Sequence, residues 1–421
     1  MQEGIVANLQ AAQWSLTERS SAAPLAPPMK SNSLSATTLV AVAGQDTTLT
    51  DDVSVAQSAS PGSGHLSLTL GGQSLGIKEV LALTPRAGSG KEDSVYQFSF
   101  VVPGTVAPGH YPLSVEWKGD GRAMTYTATV QVPALLIAEQ SGLFEDNMLG
   151  HRLYPSGGFA DASQPTGLVY DPVTQTVFVS DAEKGAIYEY TTSGKLVAKL
   201  DPPILQSPKY LALNAAGNRL YVYNDSGESP GLIQLTLTGT VIPFQNTQFS
   251  SIFSSGNGMA YDPRADRLFV TRELGGSQYA SGSSPVVAFN ATTGDRVHVP
   301  GNFAGVGQSP YGIAYDPQSN ELYVCGIYSK SNHSHYVGAY SADGTKQSRA
   351  TAFPIGLTNT GSANAIAYDP VNGLLLVLGD ANLHYFTPEG QPMPPLTSTS
   401  SSATPVAALG HGGSVAIAIA Y

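Results

Sequence analysis

Two histidines, His333 and His335, are the residues whose type and spacing most directly suggest chemistry. Imidazole nitrogens bind divalent metal ions and exchange protons near neutral pH. Side chains two residues apart lie on one face of a strand, so this pair could share an ion, with Asp380, Asp225 or Glu273 as a third ligand. No His-x-x-x-His or Glu-x-x-His helical spacing accompanies the pair. The sequence therefore leaves open a metal site, a general acid or base, and an exposed polar loop, and it favours the loop.

Other residues that could take part in binding or catalysis directly follow aromatic or β-branched runs. Arg272 and Glu273 come directly after the run at 268–271. An arginine there could bind a carboxylate or a sugar hydroxyl, or form an ion pair with a neighbouring repeat. The candidate ligand-binding residues are Asp181, Asp225, Arg272, Glu273, Tyr328, His333, His335 and Asp380. No residue is assigned a catalytic role.

Internal repeats from about residue 134 to the end predict how these loops are positioned. Each unit begins with a segment ending in Tyr-Asp-Pro or a variant of it. A run such as Leu-Tyr-Val, a polar loop, a third apolar run and a glycine turn follow. Equivalent positions are Tyr170, Leu213, Tyr261, Tyr315 and Tyr368, so the intervals are 43, 48, 54 and 53 residues. Propeller blades of four strands repeat at about 40–50 residues, so the predicted class is all-β.

The motif Pro-x-Gly-[Ile/Leu]-x-Tyr-Asp-Pro, as in 165–172 and 310–317, resembles the repeats of NHL/YVTN-type β-propellers over roughly two-thirds of the chain. The resemblance implies blades around an axial channel, with the second-to-third-strand loops and the blade-joining loops on one face. Five whole units are present. Residues 405–409 and 414–421 are expected to form the first two strands of another unit, and residues 134–146 are expected to supply its later strands. The prediction is thus a six-bladed propeller with a composite closing blade.

The aspartates of the Tyr-Asp-Pro segments are interpreted as structural. They recur in four units as Asp171, Asp262, Asp316 and Asp369. Aspartate can accept hydrogen bonds from backbone N–H groups two residues on, and the following proline fixes φ. Repetition is what a folding role requires, whereas an active site would require asymmetry.

Three domains are predicted: a tail and linker at 1–33, an immunoglobulin-like β-sandwich at 34–133, and the propeller at 134–421. A short amphipathic helix with a Ser/Ala/Pro-rich linker is the interpretation of the tail. Period-two alternation in the second segment predicts strands with a hairpin at 119–121, and residues 102–115 resemble bacterial immunoglobulin-like modules. The motif Gly72-Gln-Ser74-Leu-Gly76 matches a nucleophile elbow by letter, but its context predicts a glycine-rich hairpin.

Composition restricts the partners. The formal net charge is −11 and no cluster of Lys or Arg occurs, so neither nucleic acid nor an anionic membrane surface is an expected partner. Cys325, alone of its type, excludes an intramolecular disulfide and is interpreted as a buried thiol. No nucleotide-cofactor motif is present, so no cofactor is expected unless a divalent cation binds. No membrane span or signal peptide is visible, while low charge with abundant Ser, Thr and Gly suggests an exported bacterial protein.

The sequence is consistent with three functions. The favoured one is a periplasmic, secreted or cell-surface binding or display protein that recognises a glycan, protein or small molecule through the loop face. The first alternative is a propeller hydrolase or lyase with a His/carboxylate or metal site in the axial channel. The second is a subunit of an extracellular filament or lattice that assembles through residues 1–33.

Overall fold

A computed structural model gives the structure of the chain. It describes residues 17–19, 38–40, 46–55, 65–75, 77–83, 94–103, 106, 108–119, 122–139, 142–147, 159, 161–225, 231–245, 256–274, 284–307, 309–329, 334–347, 363–370, 373–379, 383–392 and 416–420. Every regular element in these residues is a β-strand. The chain divides into two compact units, which part between Pro133 and Ala134.

The first unit contains nine described strands. They are β1 (Thr17–Arg19), β2 (Thr38–Val40), β3 (Asp46–Val55), β4 (His65–Leu70), β5 (Gln73–Leu75), β6 (Ile77–Leu83), β7 (Ser94–Val101), β8 (Gly109–Gly119) and β9 (Arg122–Val132). One sheet has the order β1-β9-β8-β4-β5, with β2 parallel to β9, and the other has the order β3-β7-β6.

Two local predictions for this unit are confirmed. Strands β8 and β9 form an antiparallel hairpin that ends at the pair Gly119 and Arg122. Strands β4 and β5 form the predicted glycine-rich hairpin, in which Gly71 and Gly72 have φ of 56° and 85°. Ser74 lies exposed on β5 of this hairpin, and no helix occurs among the residues that the structure describes, so the nucleophile-elbow match has no structural counterpart.

The N-terminal segment differs in part from its interpretation as tail and linker. Thr17–Arg19 is a strand paired with β9 of the first unit. The expected amphipathic helix and the proline-rich stretch lie outside the described residues.

The second unit contains the repeats. Its strands are β10 (Ala134–Glu139), β11 (Gly142–Asn147), β12 (Pro165–Asp171), β13 (Thr176–Asp181), β14 (Ala186–Thr191), β15 (Leu196–Leu200), β16 (Pro208–Asn214), β17 (Arg219–Asn224), β18 (Gly231–Leu235), β19 (Val241–Ile242), β20 (Gly256–Asp262), β21 (Arg267–Arg272), β22 (Val286–Asn290), β23 (Arg296–Val297), β24 (Ser309–Asp316), β25 (Glu321–Ser329), β26 (Ser334–Ser341), β27 (Ala365–Asp369), β28 (Leu374–Leu378), β29 (Leu383–Phe386) and β30 (Ala416–Ala420).

Each repeat folds into one antiparallel sheet whose strands follow chain order. The sheets are β12-β13-β14-β15, β16-β17-β18-β19, β20-β21-β22-β23, β24-β25-β26 and β27-β28-β29, together with β11-β10-β30. Their first strands contact one another in a closed series: β12 with β16, β16 with β20, β20 with β24, β24 with β27, β27 with β30, and β30 with β12. This arrangement is that of a β-propeller.

The hydrophobic core of this unit lies between neighbouring sheets. One cluster joins Phe178 and Ile187 of the sheet beginning with β12 to Leu211 and Val222 of the next. Equivalent clusters occupy the following interfaces. Second and third strands are buried on both faces, which explains their nearly continuous β-branched and aromatic runs.

The two ends of the second unit meet in one sheet, although not in the predicted order. Strand β30 pairs with β10 from Ala416 opposite Ala138 to Ala420 opposite Ala134, and β10 pairs with β11. Because β30 contacts the first strands β12 and β27, the C-terminal segment is itself the first strand of this sheet. The expectation that residues 414–421 form the second strand is therefore wrong. Residues 405–409, expected as the first, lie outside the described residues.

Candidate functional site

A β-bulge near the start of each of four first strands shapes one end of the ring. The pairing register shifts between Pro165 and Gly167, and it shifts at the equivalent position in β16, β20 and β24. A bulge places two residues of one strand opposite one of its partner and turns side chains out of the regular alternation. The bulged residues are Thr166, Lys209, Asn257 and Tyr311.

Glycine after the bulge allows adjacent first strands to approach closely. A Cβ on Gly167 would lie 2.2 Å from the backbone oxygen of Lys209 in the next sheet. A Cβ on Gly258 would lie 2.5 Å from the backbone oxygen of Tyr311. Real Cβ atoms do not approach carbonyl oxygens this closely, so the x-Gly element of the motif is a packing requirement.

A buried hydroxyl on the second strand bridges each of these glycines to the next sheet. Ser180 Oγ lies 3.3 Å from the oxygen of Gly167 and 2.5 Å from that of Lys209. Thr271 Oγ1 lies 3.4 Å from the oxygen of Gly258 and 3.3 Å from that of Tyr311. Since a hydroxyl has one proton, each of these side chains can donate to only one of the two oxygens at a time.

The buried thiol of Cys325 occupies the same position opposite Gly312. Its side chain is inaccessible to solvent, and burial raises the pKa of the thiol to about 12. A thiol protonated at neutral pH is a poor nucleophile. The interpretation of Cys325 as an inert core residue is therefore confirmed.

Two of the bulged residues bind the following sheet with their side chains. Thr166 Oγ1 donates to the oxygen of Pro208 at 3.0 Å, and Asn257 Nδ2 donates to the oxygen of Pro310 at 3.0 Å. Lys209 instead forms an ion pair with Asp225 at 2.5 Å, in which both side chains are about one-third exposed. Chemically different side chains thus occupy one repeated position.

A cavity of about 80 Å³ lies on the axis among the first strands. All six sheets contribute lining residues, including Tyr210, Asn257, Tyr311, Asn364 and Ala416. At roughly 30 Å³ for each water molecule, this volume holds two or three waters or the end of a larger polar ligand.

The opposite ends of the sheets are closed by the aspartate turns. Asp171 accepts hydrogen bonds from the backbone N–H of Val173 at 2.8 Å and from Thr174 Oγ1 at 2.9 Å. Asp316 accepts from the backbone N–H of Gln318 at 2.7 Å, and Asp262 binds its own turn in the same way. These carboxylates are buried. Their predicted structural role is confirmed.

Asp181 also has a structural role. Its side chain is inaccessible to solvent and accepts hydrogen bonds from the backbone N–H groups of Ser163, Gln164, Glu183 and Lys184 at 2.7–3.1 Å. It therefore fixes the turn between β13 and β14 and the residues that precede β12.

Arg272 is half-buried and held at the end of β21. Its backbone N–H donates to Pro285 and its Nε donates to the oxygen of Ser284 at 3.0 Å. Burial lowers the pKa of the guanidinium, and the positive charge of Arg296 lowers it further. Glu273 follows at the strand end and is partly exposed.

His335 lies on a strand rather than in a loop. Strands β25 and β26 are longer than the sequence analysis assumed, and His335 pairs with Ile327. Its Nδ1 lies 3.4 Å from the backbone N–H of Ala363, the residue before the next first strand. Tyr328 lies within β25. The predicted polar loop is correspondingly shorter.

The proposed metal pair is only partly described. His333, Asp380 and the side chain of Tyr328 lie outside the described residues. In the part of the chain that the structure describes, no three side chains of His, Cys, Asp or Glu are grouped as a metal site requires.

The bulged residues are candidate site residues that the motifs in the sequence did not indicate. Thr166, Lys209, Asn257 and Tyr311 occupy the variable position of the Pro-x-Gly segment or its equivalent, and Asn364 stands at the same position before β27. Alignment of the repeats indicates this position, because it holds Thr, Lys, Asn, Tyr and Asn, while glycine follows it in three of the five repeats.

Comparisons with known proteins identify no family. No family model and no curated protein matches the sequence. Among similar solved structures, a nidogen/laminin complex is 13% identical, with 69% of this chain and 98% of that chain covered and a TM-score of 0.46. Hydrazine synthase of Kuenenia stuttgartiensis is 16% identical, with 66% and 92% covered and a TM-score of 0.43. A gluconolactonase of Xanthomonas campestris is 17% identical, with 55% and 75% covered and a TM-score of 0.39.

No helix in the described residues is long and apolar enough to cross a membrane.

Proposed function

We propose that the chain is an exported bacterial binding or surface-display protein whose ligand is recognised at the bulged end of the propeller. In this proposal the propeller has six NHL/YVTN-like blades, one of them composite, and an immunoglobulin-like module precedes it. A glycan, a protein and a small molecule are the ligand classes it includes. Export is inferred from the low share of charged residues, 12%.

The difference between the two ends of the ring is the observation that carries the proposal. At one end, buried aspartates close similar turns in repeat after repeat. At the other, equivalent bulged positions hold Thr166, Lys209, Asn257 and Tyr311. A folding role requires the same contact in each repeat, whereas recognition of an asymmetric ligand requires different groups around one opening.

Binding without catalysis agrees with how the polar groups at this end are engaged. Asp181 fixes backbone turns, Asp225 pairs with Lys209, and Thr166 and Asn257 bridge neighbouring sheets. Preorganised groups of this kind can bind a polar ligand without large rearrangement.

The glycan class is tested with an array of bacterial and host oligosaccharides, followed by calorimetry with the glycan that binds best. Tyr311→Phe and Lys209→Met should each weaken its binding at least tenfold, because each removes a polar group at the bulged end of the propeller. Val173→Thr, at the opposite end where Val173 is 73% exposed, should change binding less than twofold. Equal effects at the two ends would contradict the proposed site.

A further inference from the structure

A second cavity, of about 170 Å³, lies at the outer edge of the sheet that begins with β20. It is lined by the edge residues Val286–Ala288, the segment Arg296–Val299, Ser284 and Asn302. None of these residues lines the axial cavity, so the two sites are distinct.

The cavity exists because the outer strand stops early. Strand β23 pairs with β22 only at Val297 opposite Ala288 and at Arg296 opposite Phe289. Beyond this point the side chain of Ser284 makes the hydrogen bonds that a partner strand would make. Its Oγ donates to the backbone oxygen of Val286 at 2.5 Å and accepts from the backbone nitrogen of Val286 at 3.3 Å. The backbone groups of Val286 are therefore hydrogen-bonded without a neighbouring strand, and the space that a longer β23 would fill is left open.

Positive charge is concentrated around this space. Arg296 lines it, and Arg272 contacts the lining residue Ser284 through the hydrogen bond from Nε to the Ser284 oxygen. The imidazole of His298 adds a further hydrogen-bonding group to the lining. In the described part of the chain Arg296 makes no ion pair. The nearest acid in sequence, Asp295, accepts a hydrogen bond from Thr293 Oγ1 at 2.7 Å. The chain has only 20 Lys and Arg residues and a net charge of −11, so two arginines close together stand out here.

The rest of the lining is apolar. Val286, Val287, Ala288 and Val299 are buried, and Val297 is half-buried. At roughly 30 Å³ per water, the space equals five or six waters, which is enough for a small organic molecule and too little for a peptide. An arginine and an imidazole beside an apolar wall complement a carboxylate that carries a short hydrocarbon chain.

We propose that this cavity binds a small organic carboxylate, with the carboxylate at Arg296 and His298 and the hydrocarbon chain against Val297 and Val299. The site goes beyond the proposed function and does not depend on it, since it uses no residue of the channel opening.

The test compares butyrate with its neutral analogue butyramide and with acetate, by calorimetry on the full chain. Butyrate should bind with a dissociation constant of about 1 mM or lower. Butyramide should bind at least tenfold more weakly because it lacks the charge. Acetate should also bind more weakly, because it lacks the hydrocarbon chain. Equal binding of butyrate and butyramide, or no binding of butyrate, would overturn the proposal.

Variants locate the binding. Arg296→Gln should weaken butyrate at least tenfold, while Lys184→Gln, which removes the same charge from an exposed turn, should have less than a twofold effect. His298→Gln provides an independent second variant at an exposed position and should also weaken binding. Thermal unfolding of each variant checks that it is folded. Butyrate binding that is unchanged in both Arg296→Gln and His298→Gln would place the carboxylate elsewhere and overturn the assignment.

Discussion

Gln234 is a single residue whose chemistry conflicts with its surroundings. It is 1% exposed on β18, and neither polar atom of its amide has a hydrogen-bond partner. The equivalent Glu189 is partly exposed and accepts a hydrogen bond from Thr176 at 2.8 Å. The equivalent positions in the next two sheets hold the buried alanines Ala288 and Ala339. Of these four residues, only Gln234 loses its hydrogen bonds to water on folding and gains no hydrogen bond within the protein.

Replacing Gln234 with leucine should stabilise the protein. Leucine fills a similar volume and leaves no buried donor or acceptor, so the free energy of unfolding should rise by about 1–3 kcal/mol. Urea unfolding followed by circular dichroism measures the change. Gln234→Glu is the control and should destabilise, because it buries a charge in the same place. A lower stability for Gln234→Leu would mean that the amide has a partner in solution.

Residue-scale roles were predictable where a repeat supplied several copies. The aspartate turns followed from four similar segments, and the inert Cys325 followed from its apolar run. His335 was misplaced because the alternation that extends β25 and β26 continues through small and polar residues, Gly326 and Ser334 among them. Sequence alone could not separate that strand from a loop.

At the scale of elements, the bulge and its glycine join neighbouring sheets. Gly167 brings β12 against the backbone of β16, and Ser180 bridges the same two strands. A glycine weakens a strand in isolation. Here the loss of stability from the glycine is offset by close packing of β12 against β16, which a side chain at this position would prevent.

Gly167→Ala should therefore destabilise the protein. The added Cβ would overlap the oxygen of Lys209, and overpacking of this kind costs about 1–3 kcal/mol. Ala365→Gly is the matched control, because Ala365 stands at the equivalent position of the sheet beginning with β27 and already fits there. It should cost at most about 1 kcal/mol. Comparison of urea midpoints decides, and equal losses would show that the approach is not tight.

Strands and turns were predictable from alternation, and the closing turns from the glycines Gly194, Gly239, Gly294, Gly344 and Gly390, all of which have φ of 80–86°. The bulges were not predictable in the same way, because a register shift depends on which backbone groups pair between strands. For this reason the sequence pattern does not single out the bulged residues, although it shows the position that they occupy in each repeat.

For the whole molecule, closure depends on β30. This strand pairs with β10 and contacts the first strands of the two sheets beside it, β12 and β27. In an open row of sheets, loss of a terminal strand would loosen its own sheet alone. In a closed ring, the same loss removes support from sheets on both sides.

Removing residues 416–421 distinguishes these cases. Ile417 and Ile419 are 8% and 7% exposed, and burial of each contributes about 1.5–3 kcal/mol, so the free energy of unfolding should fall by at least about 3 kcal/mol. Amide hydrogen exchange should accelerate in β12 and β27 as well as in β10. The double variant Ile417→Val and Ile419→Val keeps the strand and should leave β12 and β27 protected. Faster exchange confined to β10 and β11 would show that the sheets form a row, because a ring must transmit the loss to both neighbours of the missing strand.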